Sequence, residues 1–179
     1  DVLALVGLHL LAALAAPIMV HRLGRRALWL LALVPGSALV WALGQAAPIA
    51  DGATPVQTLA WAPSLGLSLD TRVDTLSWLM VVLVSGVGAA VLVYSSRYFS
   101  PGAAGLGRFA GTLVAFAGAM LGLVTTDDLL MLYVYWELTT VTSYLLIGHY
   151  ADRKASRRAA MQAIVVTTAG GLAMLVGLV

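Results

Sequence analysis

The chain has 179 residues, of which 61% are hydrophobic and 10% are charged, and its mean hydropathy is +0.96. Soluble domains average about 25% charged residues, so this chain carries too little charge to cover a water-exposed surface. A net charge of +2 with a single lysine excludes the basic stripe that nucleic-acid binding requires. Because there is no cysteine, the chain has no disulfide and no thiolate ligand for a metal. We therefore expect a protein that faces lipid.

Six apolar stretches are long enough to cross a bilayer core of about 30 Å as helices, or nearly so. They cover residues 2–20, 27–43, 76–98, 109–124, 129–148 and 161–179. Only helices and closed barrels span lipid, and these stretches lack the alternation of barrel strands. The sequence predicts an all-α integral membrane protein, a single bundle of about six transmembrane helices. Because the chain stops inside an apolar run, we expect it to be the N-terminal part of a longer subunit.

The few charged residues are divided unequally between the two sets of loops. Nine of the ten basic residues follow the first, third or fifth stretch, and only Arg72 lies on the other side. Six of the eight acids lie on the side of Arg72. By the positive-inside rule, the basic loops are cytoplasmic and the N-terminus is outside.

The predicted outer loop, residues 44–75, is the longest. It contains Pro48, Pro55 and Pro63, and polar and apolar residues then alternate over 67–74. This alternation predicts a short β-hairpin over the outer face. Asp74 is expected to cap the third membrane helix.

Glu137 is the only carboxylate inside a predicted span and lies about 13.5 Å along the helix from Asp128, close to the bilayer midplane. A charged acid there costs roughly 2.5–3.5 kcal/mol on insertion scales, and keeping a glutamate neutral at pH 7 costs roughly 4 kcal/mol. Because the two costs are comparable, the neighbours of Glu137 decide whether it holds a proton. Such a group is poised for proton uptake and release, so it marks a candidate functional site.

Polar residues share the helix face of Glu137. Within about 60° of it lie Thr126, Tyr133, Thr140, Tyr144 and Gly148. Their hydroxyls can hydrogen-bond a buried carboxyl group and order water, as a proton path requires. In the alternative interpretation, the hydroxyls only satisfy one buried acid and pack against other helices. His149, at the cytoplasmic end of this stripe, either takes part in proton entry or is an ordinary histidine at a helix C-terminus.

Other candidates have structural explanations. His9 is expected to be a neutral packing residue, and Asp127 and Asp128 are expected to cap the fifth span, with cation collection as the alternative. The basic cluster 153–158 is most simply the orientation signal, with anionic lipid as a secondary partner. One face of the fourth span predicts close helix packing and carries Gly111, Ala115, Gly118 and Gly122. Only His9 is placed to bind haem, and haem needs facing histidines, so no cofactor is expected.

Residues 135–148, YWELTTVTSYLLIG, resemble the W-E-L-x-S/T-x-x-S-Y-L-L-I-G signature of antiporter-like subunits, such as the L-type proton-pumping subunit of respiratory complex I. The segments WAPSLGL at 61–67 and RVDTLS at 72–77 are similar to further motifs of that group. With residues 118–122 and 157–163, they look most like the large A subunit of the Mrp (Mnh) multisubunit cation/proton antiporters. The resemblance covers about residues 55–179.

The resemblance implies that Glu137 is the glutamate that pairs with a lysine on a later broken helix and passes protons along a buried hydrated axis. No lysine lies in a predicted span here. It implies a secondary transporter subunit in a bacterial plasma membrane, which exchanges Na+ for H+ together with other subunits. One alternative is the proton-pumping L-type subunit of an NADH-quinone oxidoreductase-like complex, which would make it part of an enzyme. Another is a membrane scaffold that transports nothing.

Overall fold

The computed structural model describes residues 1–62 and 67–178 as a bundle of helices with one small sheet. The elements in chain order are α1 (Val2–Leu23), α2 (Ala27–Gly44), α3 (Ala46–Ala50), β1 (Val56–Ala62), β2 (Leu67–Arg72), α4 (Thr75–Tyr98), α5 (Leu106–Thr125), α6 (Leu129–Ile147) and α7 (Lys154–Leu178). The predicted all-α membrane fold is confirmed. The short α3, which lies in the expected outer loop, was not predicted.

Five helical stretches in the described residues are long and apolar enough to cross a membrane. The first, Val2–Gly44, includes a 3-10 turn at Gly24–Arg26 that joins α1 to α2. The two helices pack against each other, and Ala16 of α1 shares a buried cluster with Leu31 of α2. The five stretches thus contain six helices of membrane-spanning length, as expected of a multi-pass membrane protein.

The helices extend beyond several of the predicted apolar stretches. Helix α5 begins at Leu106 instead of 109, and α7 begins at Lys154 instead of 161. Hydropathy marks only the part of a helix that crosses hydrocarbon, whereas long basic side chains let the helix continue into the polar interface.

Helix α5 is the centre of the bundle and packs against α1, α4 and α6, while α7 packs on the far side of α6. Its glycines permit close approach. A Cβ at Gly111 would lie 2.7 Å from the Ala13 carbonyl oxygen, and one at Gly118 would lie 2.6 Å from His9 Cβ. A Cβ at Gly122 would overlap the ring of Tyr135 on α6. Close packing at these glycines is confirmed.

His9 has the packing role that was expected. Its side chain is buried, and its Nδ1 lies 2.7 Å from the Leu5 carbonyl oxygen one turn earlier in the same helix. The imidazole therefore satisfies one ring nitrogen locally while it fills the contact between α1 and α5 at Gly118.

Two buried apolar clusters follow one another along the bundle. One lies near the loops 22–26, 97–108 and 149–158, which we call the basic end, and it includes Leu28, Leu92 and Leu106. The other lies near the sheet, at what we call the hairpin end, and includes Val6, Ala38 and Leu121. Most of the bundle surface is apolar, as a lipid-facing or subunit-facing surface requires.

The predicted hairpin is present. Strands β1 and β2 are antiparallel, with Val56 opposite Arg72 and Ala60 opposite Ser68. The four residues expected to form its turn, 63–66, lie outside the described residues.

The hairpin is attached to two parts of the bundle. Gln57 Oε1 accepts hydrogen bonds from the backbone N–H groups of Val2 and Leu3, at 2.9 and 3.4 Å, and so caps α1. On β2, the Asp70 carbonyl oxygen accepts from the Asp127 N–H at 2.8 Å and from Thr126 Oγ1 at 3.3 Å. The hairpin therefore fixes the link between α5 and α6.

The aspartates at the helix starts have different roles. Asp74 and Asp128 cap α4 and α6 by accepting from the N–H groups of Ser77 and Met131, at 2.8 and 2.7 Å. The Ser77 N–H holds the pKa of Asp74 below its usual range. Asp127 was expected to be a second cap of α6, and this was wrong. Its carboxylate instead pairs with Arg72 of β2 at 2.8 Å.

Candidate functional site

Glu137 lies at the middle of α6, as the ninth of its nineteen residues. Its side chain is half-buried, and its Oε1 is buried without a hydrogen-bond partner among the described residues. Buried polar atoms normally have partners, because leaving one unsatisfied costs about 1–3 kcal/mol. An unpaired carboxyl oxygen at the centre of a membrane helix is therefore the strongest candidate site in the bundle.

The carboxyl group of Glu137 is directed at α7. A Cβ built on Gly171 would overlap Oε1 and would lie 3.3 Å from the carboxyl carbon. Gly171 is one of the buried residues of α7, whereas Val165, Val166 and Leu172 of the same helix are exposed. The acid thus occupies the contact between α6 and α7 at a position without a side chain.

Tyr133, Thr140 and Tyr144 of the predicted polar stripe lie on α6 together with Glu137. Thr140 is buried, at 6% exposure, and Tyr133 and Tyr144 are half-buried on the same helix. No described hydrogen bond joins any of the three to Oε1 of Glu137. The stripe is therefore a set of hydroxyl groups on the helix face of Glu137, without a direct bond to that oxygen.

Thr126 was expected to continue the stripe, and this was wrong. Its backbone is extended, with ψ of 139°, and α6 begins only at Leu129. The side chain of Thr126 donates to the Asp70 carbonyl oxygen, so it holds the hairpin instead of lining the face of Glu137. The period of 100° per residue does not apply before the helix starts.

Two other threonines of α6 bond to their own helix. Thr139 Oγ1 donates to the Trp136 carbonyl oxygen and Thr142 Oγ1 donates to the Leu138 carbonyl oxygen, both at 2.7 Å. This local bonding is the usual way for a threonine to satisfy its hydroxyl in a membrane helix. It leaves Thr140 as the threonine on the face of Glu137.

His149 lies at the basic end, two residues beyond α6 and apart from Glu137. Its ring packs edge-on against Phe99, Phe109 and Tyr150, and its carbonyl oxygen accepts from Arg108 at 3.3 Å. His149, Phe99, Tyr150 and Arg108 line an open groove of about 970 Å³. Burial, and next the Arg108 guanidinium, lower the pKa of His149 below its ordinary 6.5.

Arg108 is a residue whose place the sequence interpretation missed. It lines the groove around His149 and also a smaller cavity of about 280 Å³ beside Tyr144, together with Arg157. It therefore connects the end of the hydroxyl stripe with His149. In the sequence it counted only as one of nine orientation charges, since nothing local pairs it with residues forty positions away.

No metal site is formed by the part of the chain that the structure describes, where no three histidine, aspartate or glutamate side chains meet. The residues around Glu137 offer one carboxyl group with hydroxyls on the same helix face, and a carboxyl group can take up and release a proton.

Two family descriptions match the chain. Residues 61–110 match NADH-Ubiquinone oxidoreductase (complex I), chain 5 N-terminus, and residues 126–179 match NADH:quinone oxidoreductase/Mrp antiporter, TM. Together these matches cover more than half of the chain. The chain belongs to the NADH:quinone oxidoreductase/Mrp antiporter family. The second match includes both Glu137 and Gly171.

Relatives within this family are bacterial antiporter subunits. The chain is 37% identical to Na(+)/H(+) antiporter subunit A1 of Staphylococcus aureus over 173 residues, which are 96% of this chain and 22% of that protein. It is 37% identical to subunit A1 of Staphylococcus haemolyticus over 151 residues, 84% of this chain and 19% of that protein. The chain thus spans about a fifth of the length of these curated relatives.

Two solved structures have a similar fold. The Mrp complex from Dietzia sp. DQ12-45-1b matches with a TM-score of 0.84 and 34% identity, over 98% of this chain and 18% of that chain. The membrane-bound sulfane sulfur reductase (MBS), an archaeal respiratory membrane complex, matches with a TM-score of 0.79 over 98% of this chain and 36% of that chain. At 18% identity, the second match shows a shared fold alone.

His149 gives this family member a predicted sensitivity to acid. Because its pKa is lower in the folded protein, the unfolded chain takes up a proton at higher pH, and stability present above about pH 6.5 is lost as the pH falls below it. We expect His149→Gln to weaken the fall in melting temperature between neutral and acidic pH. His21→Gln, at an exposed histidine of the same end, is the matched control. Parallel curves of melting temperature against pH for His149→Gln and the unsubstituted protein would contradict this role.

Proposed function

We propose that this chain forms the N-terminal part of a subunit of a multisubunit cation/proton antiporter, which exchanges Na+ for H+ across a bacterial plasma membrane together with other subunits. The 37% identity with antiporter A1 subunits and the 34% identity with a chain of an Mrp complex support this proposal. The ions Na+ and H+ are those in the name of the A1 relatives, and that name and the Mrp complex support other subunits as partners.

The mechanism depends on one observation: Oε1 of Glu137 is buried and has no hydrogen-bond partner in the part of the chain that the structure describes. A carboxyl group in this position accepts a proton from one side, becomes neutral, and returns to the carboxylate when it releases the proton to the other side. Burial and neighbouring charges act differently on the charged and neutral forms of a carboxyl group, so a change in its surroundings alters proton binding. That sensitivity couples proton binding to the movement of another ion.

Tyr133, Thr140 and Tyr144 provide hydroxyls on the helix face of Glu137, above and below it. Since no hydroxyl of the described residues bonds directly to Oε1, the path needs water between them, and hydroxyl groups are suitable to order it. At the basic end, the cavity beside Tyr144 and the groove around His149 share Arg108. We therefore place the cytoplasmic end of the path at Tyr144 and His149.

Glu137→Gln keeps the size of the side chain and removes its charge. In the complete subunit within the assembled complex, we expect this substitution to reduce Na+/H+ antiport in everted membrane vesicles by at least about 100-fold, because a required proton carrier is lost. Asp51→Asn makes the same chemical change at an exposed carboxylate directly after α3, away from Glu137 and from the groove around His149, and should leave antiport unaffected. Undiminished antiport in Glu137→Gln would overturn the mechanism.

The Glu137→Gln variant also distinguishes an antiporter subunit from a scaffold. For a scaffold that transports nothing, Glu137→Gln would alter assembly of the complex and leave the antiport of assembled complexes intact. The match of residues 61–110 to complex I chain 5 supports a second candidate, the L-type subunit of a quinone-reducing complex. Co-purification of the complete subunit with iron–sulfur and flavin subunits would favour that candidate.

We also propose that the basic end is cytoplasmic and the hairpin end faces outward, since nine of the ten basic residues lie in the loops of the basic end. Because this sequence has no cysteine, single cysteines can test it in a cysteine-free complete subunit. We expect a membrane-impermeant maleimide to label Ala53→Cys in intact cells. It should label Arg25→Cys and Ala155→Cys only after permeabilisation. The reverse pattern would invert the topology.

A further inference from the structure

We infer that Gly171 of α7 is a positioning residue for Glu137: the absence of a side chain at this point creates the space that the carboxyl group occupies. This role rests on the proposed function of Glu137 and adds a second helix to its site.

A side chain at position 171 would meet the carboxyl group of Glu137 before any other neighbour. A Cβ on residue 171 would overlap Oε1 of Glu137 and lie 3.3 Å from the carboxyl carbon. The next neighbour, Cδ1 of Trp136, would be 3.6 Å away, which is an ordinary van der Waals contact. A methyl group at this position would therefore meet one obstacle, the end of the Glu137 side chain.

The adjacent Gly170 provides a contrast within the same helix. A Cβ at Gly170 would have nothing within 4 Å, and the residue is exposed. A glycine in a helix interior costs about 0.5–1 kcal/mol relative to alanine, so alanine should favour α7 at either position. The two substitutions thus have the same effect on the helix backbone and differ in whether they reach Glu137.

The expected consequence of Gly171→Ala is a displaced carboxyl group in an intact bundle. The obstructing atoms are the far end of a flexible side chain, which can rotate away without moving either helix. Proton transfer requires donor and acceptor within hydrogen-bond reach, and a displacement of about 1 Å can cost about 100-fold in rate. Gly171 therefore controls where the proton is held.

Gly171→Ala and Gly170→Ala should be compared in the complete subunit within the assembled complex. We expect Gly171→Ala to lower antiport by at least about 10-fold and to shift its pH profile, because the displaced carboxyl group has different surroundings. Gly170→Ala should stay within about twofold of the unsubstituted rate, with an unchanged profile. Equal rates and profiles for the two variants would overturn the inference.

A double substitution distinguishes positioning from a general packing defect. In Glu137→Asp the carboxyl group is one methylene further from α7, so Gly171→Ala should cause little additional loss on this background. The same fractional loss on both backgrounds would show that Gly171 acts without Glu137. If Gly171→Ala alone prevents assembly, restored assembly in the double variant supports the inference and continued failure contradicts it.

The two proposals can fail separately. Full antiport in Glu137→Gln would remove the proposed role of Glu137 as the proton carrier, and the role of Gly171 would fall with it. Lost antiport in Glu137→Gln, combined with equal behaviour of Gly170→Ala and Gly171→Ala, would leave the proposed function in place and overturn the positioning role alone.

Discussion

Close helix approach at positions without a side chain is the constraint on which this bundle depends. Lipid offers no hydrophobic drive between helices, so packing at small residues must hold them together. His9 of α1 packs against Gly118 of α5, and the ring of Tyr135 on α6 packs against Gly122. At the next interface, Gly171 of α7 receives the carboxyl group of Glu137. The contact that closes the bundle at α7 is thus also the candidate site.

The hairpin and α5 together fix the position of α6 along the bundle. The Asp70 carbonyl oxygen holds the link between α5 and α6 through Asp127 and Thr126, and Tyr135 locks into Gly122 two residues before Glu137. The ion pair between Arg72 and Asp127 is largely exposed and contributes little, since such pairs are worth about 0–1 kcal/mol. Backbone hydrogen bonds and ring packing therefore fix α6, and with it Glu137, relative to the hairpin and α5.

The sequence predicted what depends on local pattern, and the structure was needed for contacts between distant residues. Hydropathy predicted the membrane helices, alternation predicted the hairpin, and the isolated charge made Glu137 the candidate site residue. The short α3 was missed because a segment that contains proline, between two predicted membrane spans, is usually expected to be a loop. Gly171 and Arg108 were missed because a glycine in an apolar run and an arginine in a basic loop show no local sign of their partners.

The proposed mechanism is tested most directly by whether Glu137 itself gains and loses a proton inside the membrane. Infrared difference spectra of the complete complex, recorded as the pH is changed across the range in which antiport operates, report the C=O stretch of a protonated carboxylic acid. We expect a band of this kind that disappears in Glu137→Gln and persists in Asp51→Asn. Identical spectra for the unsubstituted complex and Glu137→Gln would contradict it.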